Sequence, residues 1–380
     1  MLRTIFRRLY LTVMLLLAAI IVVPHFLDRV YYRGPATDHF DGARFFNPDG
    51  GDLPLTGPNR YFTTKRILRF FFADGRPDWP EISVTPSKPP ARVEGEAMRV
   101  TWIGHATALV QTQGLNILTD PIWSNRASPL PGLGPKRHRA PGIDFDDLPK
   151  IDIVLLSHAH YDHMDIPTLW KLWNRDKPLI VTSLGNDAIL KGNSIEAVAR
   201  DWGQSVTVRP GVQIHIDRVH HWGTRSAKDH NRMLWSAFTV TLPGGNLYFA
   251  GDTGFGDGHW PYEAAAHGPV RFALIPIGSY EPRRMMAPNH IDPPEAVTVF
   301  ERLGAMYAVG IHWGTFQLSA ERIDDPPAAL RAALATAHVG ADRFRTLEAG
   351  EAWDIPIVPV DRMGHRSDED RSSGSDDEGG

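Results

Sequence analysis

Three histidines and one aspartate lie within six consecutive positions, in the run Ser157-His158-Ala159-His160-Tyr161-Asp162-His163. Imidazole nitrogens and a carboxylate oxygen are the donors that Zn²⁺ and its neighbours in the transition series bind. The apolar run before them, residues 151–156, predicts a buried strand, so the cluster should lie on the loop that follows that strand. Together with donors found later in the chain, these four exceed what one structural ion needs, which favours two metal ions with open coordination positions. The alternative is a histidine-rich surface loop.

Further candidate ligands follow other predicted strands. His220 and His221 follow an alternating strand pattern, Asp252 lies in a Gly-Asp-Thr-Gly turn, and His312 follows the apolar run 307–311. Taken singly, each has an ordinary alternative: Asp252 as a turn residue, His312 as a packed histidine and His221 as an exposed one. Their recurrence at strand ends predicts that loops at one edge of a sheet supply the donors.

The elements that must position these residues are short strands and helices in separated runs. Strands are predicted at 100–103, 115–118, 153–156, 178–182, 206–216, 238–242, 247–250, 272–277 and 306–311, and helices at 166–173, 186–201, 293–304 and 326–337. Because the runs do not alternate strictly, we predict a layered α/β sandwich. The Pro/Gly-rich loop 129–141, which carries basic residues, is expected to be exposed.

Composition limits the classes of function. The 380 residues are 42% hydrophobic and 22% charged, which is enough apolar material for one large globular domain or two ordinary ones. The formal net charge of −4 argues against nucleic acid as a partner. The sequence has no cysteine, so disulfides are excluded and any metal must be held by His, Asp or Glu.

The N-terminal residues 1–33 have the composition of a membrane-targeting segment. Arg3, Arg7 and Arg8 precede the uncharged run 9–23, which with residues 24–27 approaches the ~20 residues that cross a bilayer. We therefore expect an uncleaved membrane-anchor helix, with the catalytic domain on the exported side. A buried N-terminal helix is the alternative.

Three further regions are predicted from composition and pattern. Residues 34–97 should form an extension that packs on the core, and residues 98–360 the metallo-hydrolase domain. Residues 361–380 are polar and acidic, which predicts a disordered tail.

The order of the candidate ligands resembles that of the metallo-β-lactamase superfamily: His-x-His-x-Asp-His, then His, then Asp in a Gly-Asp-Thr-Gly turn, then His. Over roughly residues 58–350, shorter runs resemble one branch, the N-acylphosphatidylethanolamine-hydrolysing phospholipases D. These runs include GHAT at 104–107, LTDP at 118–121, LWS at 234–236, IPIGSYEPR at 275–283 and IHWGTF at 311–316. The resemblance implies a four-layer αβ/βα sandwich with a dinuclear site between its two sheets.

The resemblance also implies a ligand set for two divalent metal ions, with Zn²⁺ expected. One ion would be held by His158, His160 and His221, and the other by Asp162, His163 and His312, with Asp252 bridging both. In the family the histidine ligand is followed directly by tryptophan. This favours His221, which precedes Trp222, over His220.

Other side chains are candidates for catalytic roles or for contacts with the metal ligands. Asp162 or Asp252 could orient the attacking water and take its proton. His290 matches a family histidine at the mouth of the active site and could steady a phosphate oxygen or protonate the leaving group; as an alternative, it is a helix-start histidine. Asp120 and His105 are candidate partners of the ligands, or structural residues of strand-end turns.

The function implied by the resemblance is a membrane-anchored phosphodiesterase that cleaves N-acylphosphatidylethanolamine-like lipids to phosphatidic acid and an N-acylethanolamine. One alternative is a hydrolase of the same fold that acts on a lactone or a soluble phosphodiester. Another, from a different class, is a non-catalytic metal-binding protein. The expected partners are a phospholipid or other phosphodiester substrate and the membrane, with no nucleic acid. The protein could be a monomer or a homodimer.

Overall fold

A computed structural model describes residues 2–22, 29–51, 77–130, 132–226 and 228–357. The strands in these ranges are β1 (Met98–Gly104), β2 (Thr107–Thr112), β3 (Leu115–Thr119), β4 (Ile153–Leu156), β5 (Leu179–Ser183), β6 (Val198–Arg200), β7 (Ser205–Arg209), β8 (Val212–Asp217), β9 (Ala237–Thr241), β10 (Asn246–Phe249), β11 (Val270–Pro276), β12 (Tyr307–Ile311), β13 (Phe344–Arg345) and β14 (Ala352–Ile355). The helices are α1 (Leu2–Val22), α2 (Ile166–Asp176), α3 (Asn186–Lys191), α4 (Trp260–Ala265), α5 (Arg283–Met286), α6 (Pro293–Arg302) and α7 (Asp325–Thr336). The tail predicted at 361–380 and residues 52–76 of the extension lie outside the described residues.

The strands form two mixed sheets of seven. Their orders are β14-β1-β2-β3-β4-β5-β6 and β13-β12-β11-β10-β9-β8-β7. Strands β1 to β3 pair antiparallel and β3 to β6 parallel, while β7 to β10 pair antiparallel and β10 to β13 parallel. The second sheet therefore repeats the pattern of the first. The exception is β14, which returns from the end of the described chain to the edge of the first sheet beside β1.

Alternating side chains of β4 show how the layers are built. Ile153 and Leu155 face the core between the sheets, whereas Val154 and Leu156 face a second core under α2, where Leu172 is buried. A strand buried on both faces reads as a continuous apolar run, which is why β4 was predictable. Helices α6 and α7 cover the second sheet in the same way, and the predicted α/β sandwich is confirmed.

Two predicted elements differ from the structure. The helix predicted at 186–201 ends at Lys191, because Ser194 adopts a left-handed backbone (φ 61°), and Val198–Arg200 instead pairs with β5 as strand β6. The alternating stretch 206–216 is a hairpin of two strands that turns at Gly211 (φ 78°).

The loop 129–141 is exposed over much of its described length, as predicted, but two of its basic residues are buried. Arg137 and Arg139 are only 7% and 2% exposed. The guanidinium of Arg137 donates to the carbonyls of Ser124 and Ile122 over 3.2 and 2.8 Å, and it lies over the Phe316 ring. Backbone acceptors and a ring therefore compensate for the burial of this cation, so the prediction is wrong only for these two arginines.

The N-terminal segment also differs from its prediction. Helix α1 carries Arg3, Arg7 and Arg8 near its start, so its uncharged part runs only from Leu9 to Val22. This uncharged part is shorter than the ~20 residues of a bilayer span. Among the described residues, no helix is long and apolar enough to cross a membrane. Residues 24–27, which the prediction used to lengthen the run, lie outside the described residues. The alternative of a buried helix does not hold either, since Leu9 and Leu15 are 58% and 70% exposed.

Candidate metal centre

All seven side chains predicted as metal ligands lie at one edge of the two sheets, on loops that follow strands. The loop after β4 carries His158, His160, Asp162 and His163, and the loops after β8, β10 and β12 carry His221, Asp252 and His312. Strands β8, β10 and β12 run in the same direction, so their carboxyl ends share an edge. The first sheet thus supplies four donors and the second sheet three, and the site lies between the sheets.

Three histidines form the first group. Nε2 of His158 lies 2.8 Å from Nδ1 of His160, which lies 3.4 Å from Nε2 of His221. Burial lowers the pKa of all three imidazoles, to about 4 for His160 and well below the ordinary value for the other two. They are therefore neutral at pH 7, which is the form of imidazole that binds a metal.

Two carboxylates and two histidines form the second group. Oδ2 of Asp162 lies 3.2 Å from Nε2 of His163 and 3.5 Å from Nε2 of His312. Oδ2 of Asp252 lies 3.1 Å from each of these nitrogens, and 3.9 Å from Nε2 of His221 in the first group. Asp252 therefore stands between the two groups, where the resemblance requires a bridging ligand.

Several buried donor atoms of the two groups have no hydrogen-bond partner within the described part of the chain. Nε2 of His163 and Nε2 of His312 are such atoms in the second group, beside Asp252, whose Oδ1 is also unpaired. Nε2 of His160 is unpaired too, but this ring meets the first group with Nδ1. Buried polar atoms are normally paired, so convergent unpaired donors indicate a missing cation rather than a packed core. Imidazole and carboxylate donors in this ratio fit divalent transition-metal ions.

The charges of the second group fit a cation site as well. Burial alone would raise the pKa of Asp162 and Asp252, but neighbouring imidazoles, His163 foremost, outweigh burial and hold both values well below the ordinary one. Burial likewise lowers the pKa of His312, yet Asp252 and Asp162 raise it to about 9, and His163 is raised in the same way. The positive charge of two protonated histidines thus offsets the negative charge of the two carboxylates. Bound metal ions would supply this positive charge instead.

Asp120 orients two of the ligands. Its Oδ2 accepts from Nδ1 of His163 over 2.6 Å and from the hydroxyl of Ser157 over 2.5 Å. The same hydroxyl oxygen lies 2.9 Å from Nδ1 of His158 and accepts from it. Since the Nδ1 atoms are occupied, both histidines present Nε2 to the site. Asp120 thus contacts the candidate ligands as predicted, and its role toward a metal stays a prediction.

His105 is the second predicted partner, and it lies against Asp162. The two side chains are joined by a hydrogen bond of 2.8 Å, and the His105 carbonyl accepts the backbone N–H of His312 over 3.0 Å. Burial and the neighbouring His312 lower the pKa of His105 to about 3, so its neutral ring donates from Nε2. Its φ of 56° lies in the left-handed region and marks a constrained turn.

His290 lies beside the carboxylate of Asp252 but does not form a hydrogen bond with it. Its Nδ1 is 3.9 Å from Oδ2 of Asp252, and that nitrogen has no hydrogen-bond partner in the described residues. Burial lowers the pKa of His290 to about 4, which leaves the ring neutral. The catalytic role assigned to His290 stays a prediction; its position next to the ligands is compatible with that role.

The choice between the two adjacent histidines is resolved by their directions. His221 joins the first group, with Nδ1 donating to the carbonyl of Asn289 over 2.9 Å. His220 points away, and its Nδ1 lies 2.9 Å from a carboxylate oxygen of Asp49. Sequence reasoning missed Asn289 and Asp49, because a backbone acceptor and an acidic residue of the N-terminal extension carry no motif.

A cavity of about 640 Å³ opens beside both groups. His160, Asp162, Asp252 and His290 form its floor, and it is otherwise lined by Ala127, Pro129, Leu130, Tyr161, Trp222, Thr224, Arg225, Ser226, Met286 and Leu318. The lining is therefore divided, with aliphatic side chains on some loops and hydroxyl or cationic side chains on others. Such a site suits hydrolysis of an ester that has an apolar part, since the donors, water and substrate share one space.

The chain was compared with known proteins. A sequence profile described as "Beta-lactamase superfamily domain" matches residues 115–313. The N-acyl-phosphatidylethanolamine-hydrolyzing phospholipase D 1 of Caenorhabditis elegans is 36% identical over 266 residues, which are 67% of this chain and 75% of that protein. The mitochondrial N-acyl-phosphatidylethanolamine-hydrolyzing phospholipase D of Saccharomyces cerevisiae is 34% identical over 232 residues, 60% of this chain and 49% of that one. The chain belongs to the beta-lactamase superfamily.

Comparison with solved structures supports the same fold. Igni18, a metallo hydrolase from the archaeon Ignicoccus hospitalis, matches with a TM-score of 0.52 at 18% identity, over 69% of this chain and 100% of that chain. The chain belongs to this superfamily, and its relatives include metal-dependent hydrolases. It is therefore a metal-dependent hydrolase. The resemblance to the phospholipase D branch is confirmed at the level of sequence similarity.

Proposed function

We propose that this hydrolase is a phospholipase D-type phosphodiesterase, which cleaves N-acylphosphatidylethanolamine-like lipids to phosphatidic acid and an N-acylethanolamine. The observation that carries the proposal is the divided cavity over the donors. Leu130, Met286 and Leu318 offer apolar surface for acyl chains within the same space as Asp162 and Asp252. Similarity to the worm and yeast phospholipases supports this substrate class.

Two divalent ions, with Zn²⁺ expected, complete the proposed site. His158, His160 and His221 would hold one and Asp162, His163 and His312 the other, with Asp252 contacting both. When bound, such ions lower the pKa of a water molecule toward ~7 and offset negative charge at phosphorus.

The protein side chains have separate tasks in this proposal. Asp162 and Asp252 stay ionised because their pKa values are low, so they orient the attacking water as hydrogen-bond acceptors. The water oxygen bonds to phosphorus while the bond between phosphorus and the N-acylethanolamine oxygen breaks. Asp162 or Asp252 takes the proton that the water loses, and this proton passes to the leaving oxygen. His290, neutral at pH 7, steadies a phosphate oxygen through an N–H rather than acting as an imidazolium acid.

A lipid substrate lies at a bilayer surface, and we propose that α1 holds the enzyme there. Arg3, Arg7 and Arg8 can meet anionic head groups, and exposed side chains such as Leu9 and Leu15 can enter the interface. A helix lying in the interface needs no bilayer-spanning length. The prediction that the enzyme lies on the exported side rested on a spanning anchor and stays a prediction.

The test uses the full-length enzyme with N-acylphosphatidylethanolamine in mixed micelles. Phosphatidic acid release and metal content per chain are measured together in the wild type, in His160→Ala and in His259→Ala. His259 is exposed and outside the site, so it is the matched control. We expect the wild type to release phosphatidic acid and to hold about two ions per chain. His160→Ala should lose this activity, and His259→Ala should keep it.

The other outcomes separate the alternatives. Two ions without lipid hydrolysis would reject the phospholipase and direct the search to soluble phosphodiesters and lactones. Absence of bound metal after purification in metal-supplemented buffer would favour a non-catalytic protein. Equal release from His160→Ala and wild type would mean that the activity does not come from this site.

A further inference from the structure

Residues 29–51 form a segment, here called the N-terminal strap, that is fixed on the loops of the second sheet. Phe40 and Phe45 are each 1% exposed and belong to the main core. The backbone N–H of Phe45 donates to the carbonyl of Asn231 over 2.8 Å. Buried aromatic anchors hold this part of the chain in one position, so the polar residues that follow them can make specific contacts.

Asp49 of the strap contacts two loops through one carboxylate. Its oxygens lie 3.0 and 2.9 Å from Nδ1 of His220, which donates, and Oδ2 accepts the backbone N–H of Asp257 over 2.9 Å. The Asp49 and His220 side chains are 6% and 5% exposed. A Cβ on Gly256 would overlap the Asp49 carboxylate and lie 2.7 Å from Nδ1 of His220, so this approach requires glycine there.

The backbone of His220 joins the two loops that carry ligands. Its N–H donates to the hydroxyl of Thr253 over 3.1 Å, and its carbonyl accepts the N–H of Gly254 over 2.6 Å. His220 precedes the ligand His221, and Thr253 follows the ligand Asp252. The contact between Asp49 and His220 therefore fixes the neighbours of two ligands in different loops.

Asn47 reaches a ligand directly. Its Nδ2 donates to the carbonyl of His221 over 2.9 Å, and Asn47 is 4% exposed. The ring of His221 is held from its other side by the carbonyl of Asn289. Both the backbone and the imidazole of this ligand are thus fixed, and the backbone contact comes from the strap.

We infer that Asn47 and Asp49 are positioning residues of the metal centre. Asn47 holds His221, and Asp49 acts through His220 on the loops of His221 and Asp252. Both residues lie outside residues 115–313, the region matched by the family profile. The strap is therefore a working part of the metal centre as well as a cover for the core.

Metal retention tests this inference in the full-length, metal-loaded enzyme. The rate of metal transfer to a chromophoric chelator is measured for Asp49→Ala, Asp49→Asn and Asn47→Ala. We expect about 10-fold faster release from Asp49→Ala, the lower end of what partners of metal ligands contribute. Asp49→Asn should be intermediate, because it keeps an acceptor oxygen. Asp41→Ala is the matched control, since its carboxylate accepts from the N–H groups of Ala43 and Arg44 within the strap.

A double-mutant cycle tests the route of the effect. If Asp49 acts through His220, then Asp49→Ala combined with His220→Ala should release metal no faster than the more severe single variant. Additive effects would mean that Asp49 does not act through His220 and would overturn that step.

The proposal as a whole has two contradicting results. Wild-type release rates from folded Asp49→Ala and Asn47→Ala would overturn it. Equal losses of Tm in metal-loaded and metal-free enzyme would also do so, because a positioning residue must reduce the Tm gain that metal gives. If Asp49→Ala does not fold, Asp49→Asn and Asn47→Ala carry the same comparison. Neither readout needs a substrate, so the result is independent of whether the enzyme hydrolyses a phospholipid.

Discussion

Nε2 of His105 donates to Oδ2 of Asp162 over 2.8 Å, and the carbonyl of His105 receives the backbone N–H of His312. One residue thus fixes two donors of the second group. The imidazole is fully buried, and the backbone N–H of His105 donates to the hydroxyl oxygen of Thr315 over 2.7 Å. Such outer contacts fix the orientation of metal ligands and contribute to metal affinity.

Replacing His105 should weaken the binding of one metal ion. His105→Ala removes the donor to Asp162, so we expect the affinity for the ion of the second group to fall about 10- to 100-fold while the first ion is retained. His105→Gln, which keeps an N–H donor, should lose less. Elemental analysis after dialysis against graded metal concentrations measures both. An equal loss of the two ions would contradict the assignment.

The two carboxylates of the centre should differ in their effects. Asp162 belongs to the second group alone, so Asp162→Ala should leave about one ion per chain. Asp252 lies 3.1 Å from His312 and 3.9 Å from His221, in different groups, so Asp252→Ala should weaken both ions. Metal titrations of the two variants side by side give the comparison. Retention of one tightly bound ion in Asp252→Ala would show that this carboxylate does not bridge.

The pKa of His312 predicts how the stability of metal-free enzyme depends on pH. Burial lowers this pKa, but Asp252 and Asp162 outweigh burial and raise it from 6.5 to about 9. The folded chain therefore binds this proton more tightly than the unfolded chain. The resulting contribution to the free energy of unfolding is full below pH 6.5 and is lost as the pH rises through about 9.

Urea unfolding of chelator-treated enzyme across this pH range measures the effect. The free energy of unfolding should fall from pH 6.5 to 9 in the wild type and much less in His312→Gln. The metal-loaded enzyme should also lack the decrease, because a metal ligand carries no proton at that nitrogen. A decrease of the same size in the variant would assign the effect to other groups.

A buried arginine should contribute to stability without affecting the metal centre. Arg271 is 0% exposed and donates to the carbonyls of Glu96, Ile355 and Pro356. Arg271→Met would leave these acceptors unpaired, so we expect a loss of about 3 kcal/mol in the free energy of unfolding. Arg99→Met is the control; its pair with Asp354 is largely exposed and should contribute below ~1 kcal/mol. Unchanged metal content in both variants would confirm that Arg271 stabilises the fold without affecting the metal centre.

The metal ligands could be predicted from sequence because each follows a strand whose pattern is local. His158, Asp252 and His312 come directly after apolar runs that correspond to β4, β10 and β12. Parallel strands bring their carboxyl ends to one edge, so a local pattern and a general rule of topology suffice. The ligand order then matched a known family.

The contacts that hold the ligands could be predicted only in part: Asp120 and His105 were candidate partners from sequence, but which ligand each one contacts was not. Asp49 and His220 are 171 positions apart, and His105 and Asp162 are 57 apart. Neither pair has a periodicity or a motif, since only tertiary packing brings its members together. The burial of Arg137 was missed for a similar reason, because the carbonyls that satisfy its guanidinium are backbone groups that no sequence pattern displays.

Strand β14 was also not predicted, since it is short and has no continuous apolar run. It pairs with β1, with Met98 opposite Ile355 and Thr101 opposite Ala352. During synthesis on a ribosome, β1 emerges long before its partner and exposes an unpaired edge for the time needed to translate the whole second sheet. Exposed edges favour association with other chains. The order of synthesis therefore leaves this edge of the first sheet open to association until β14 has been made.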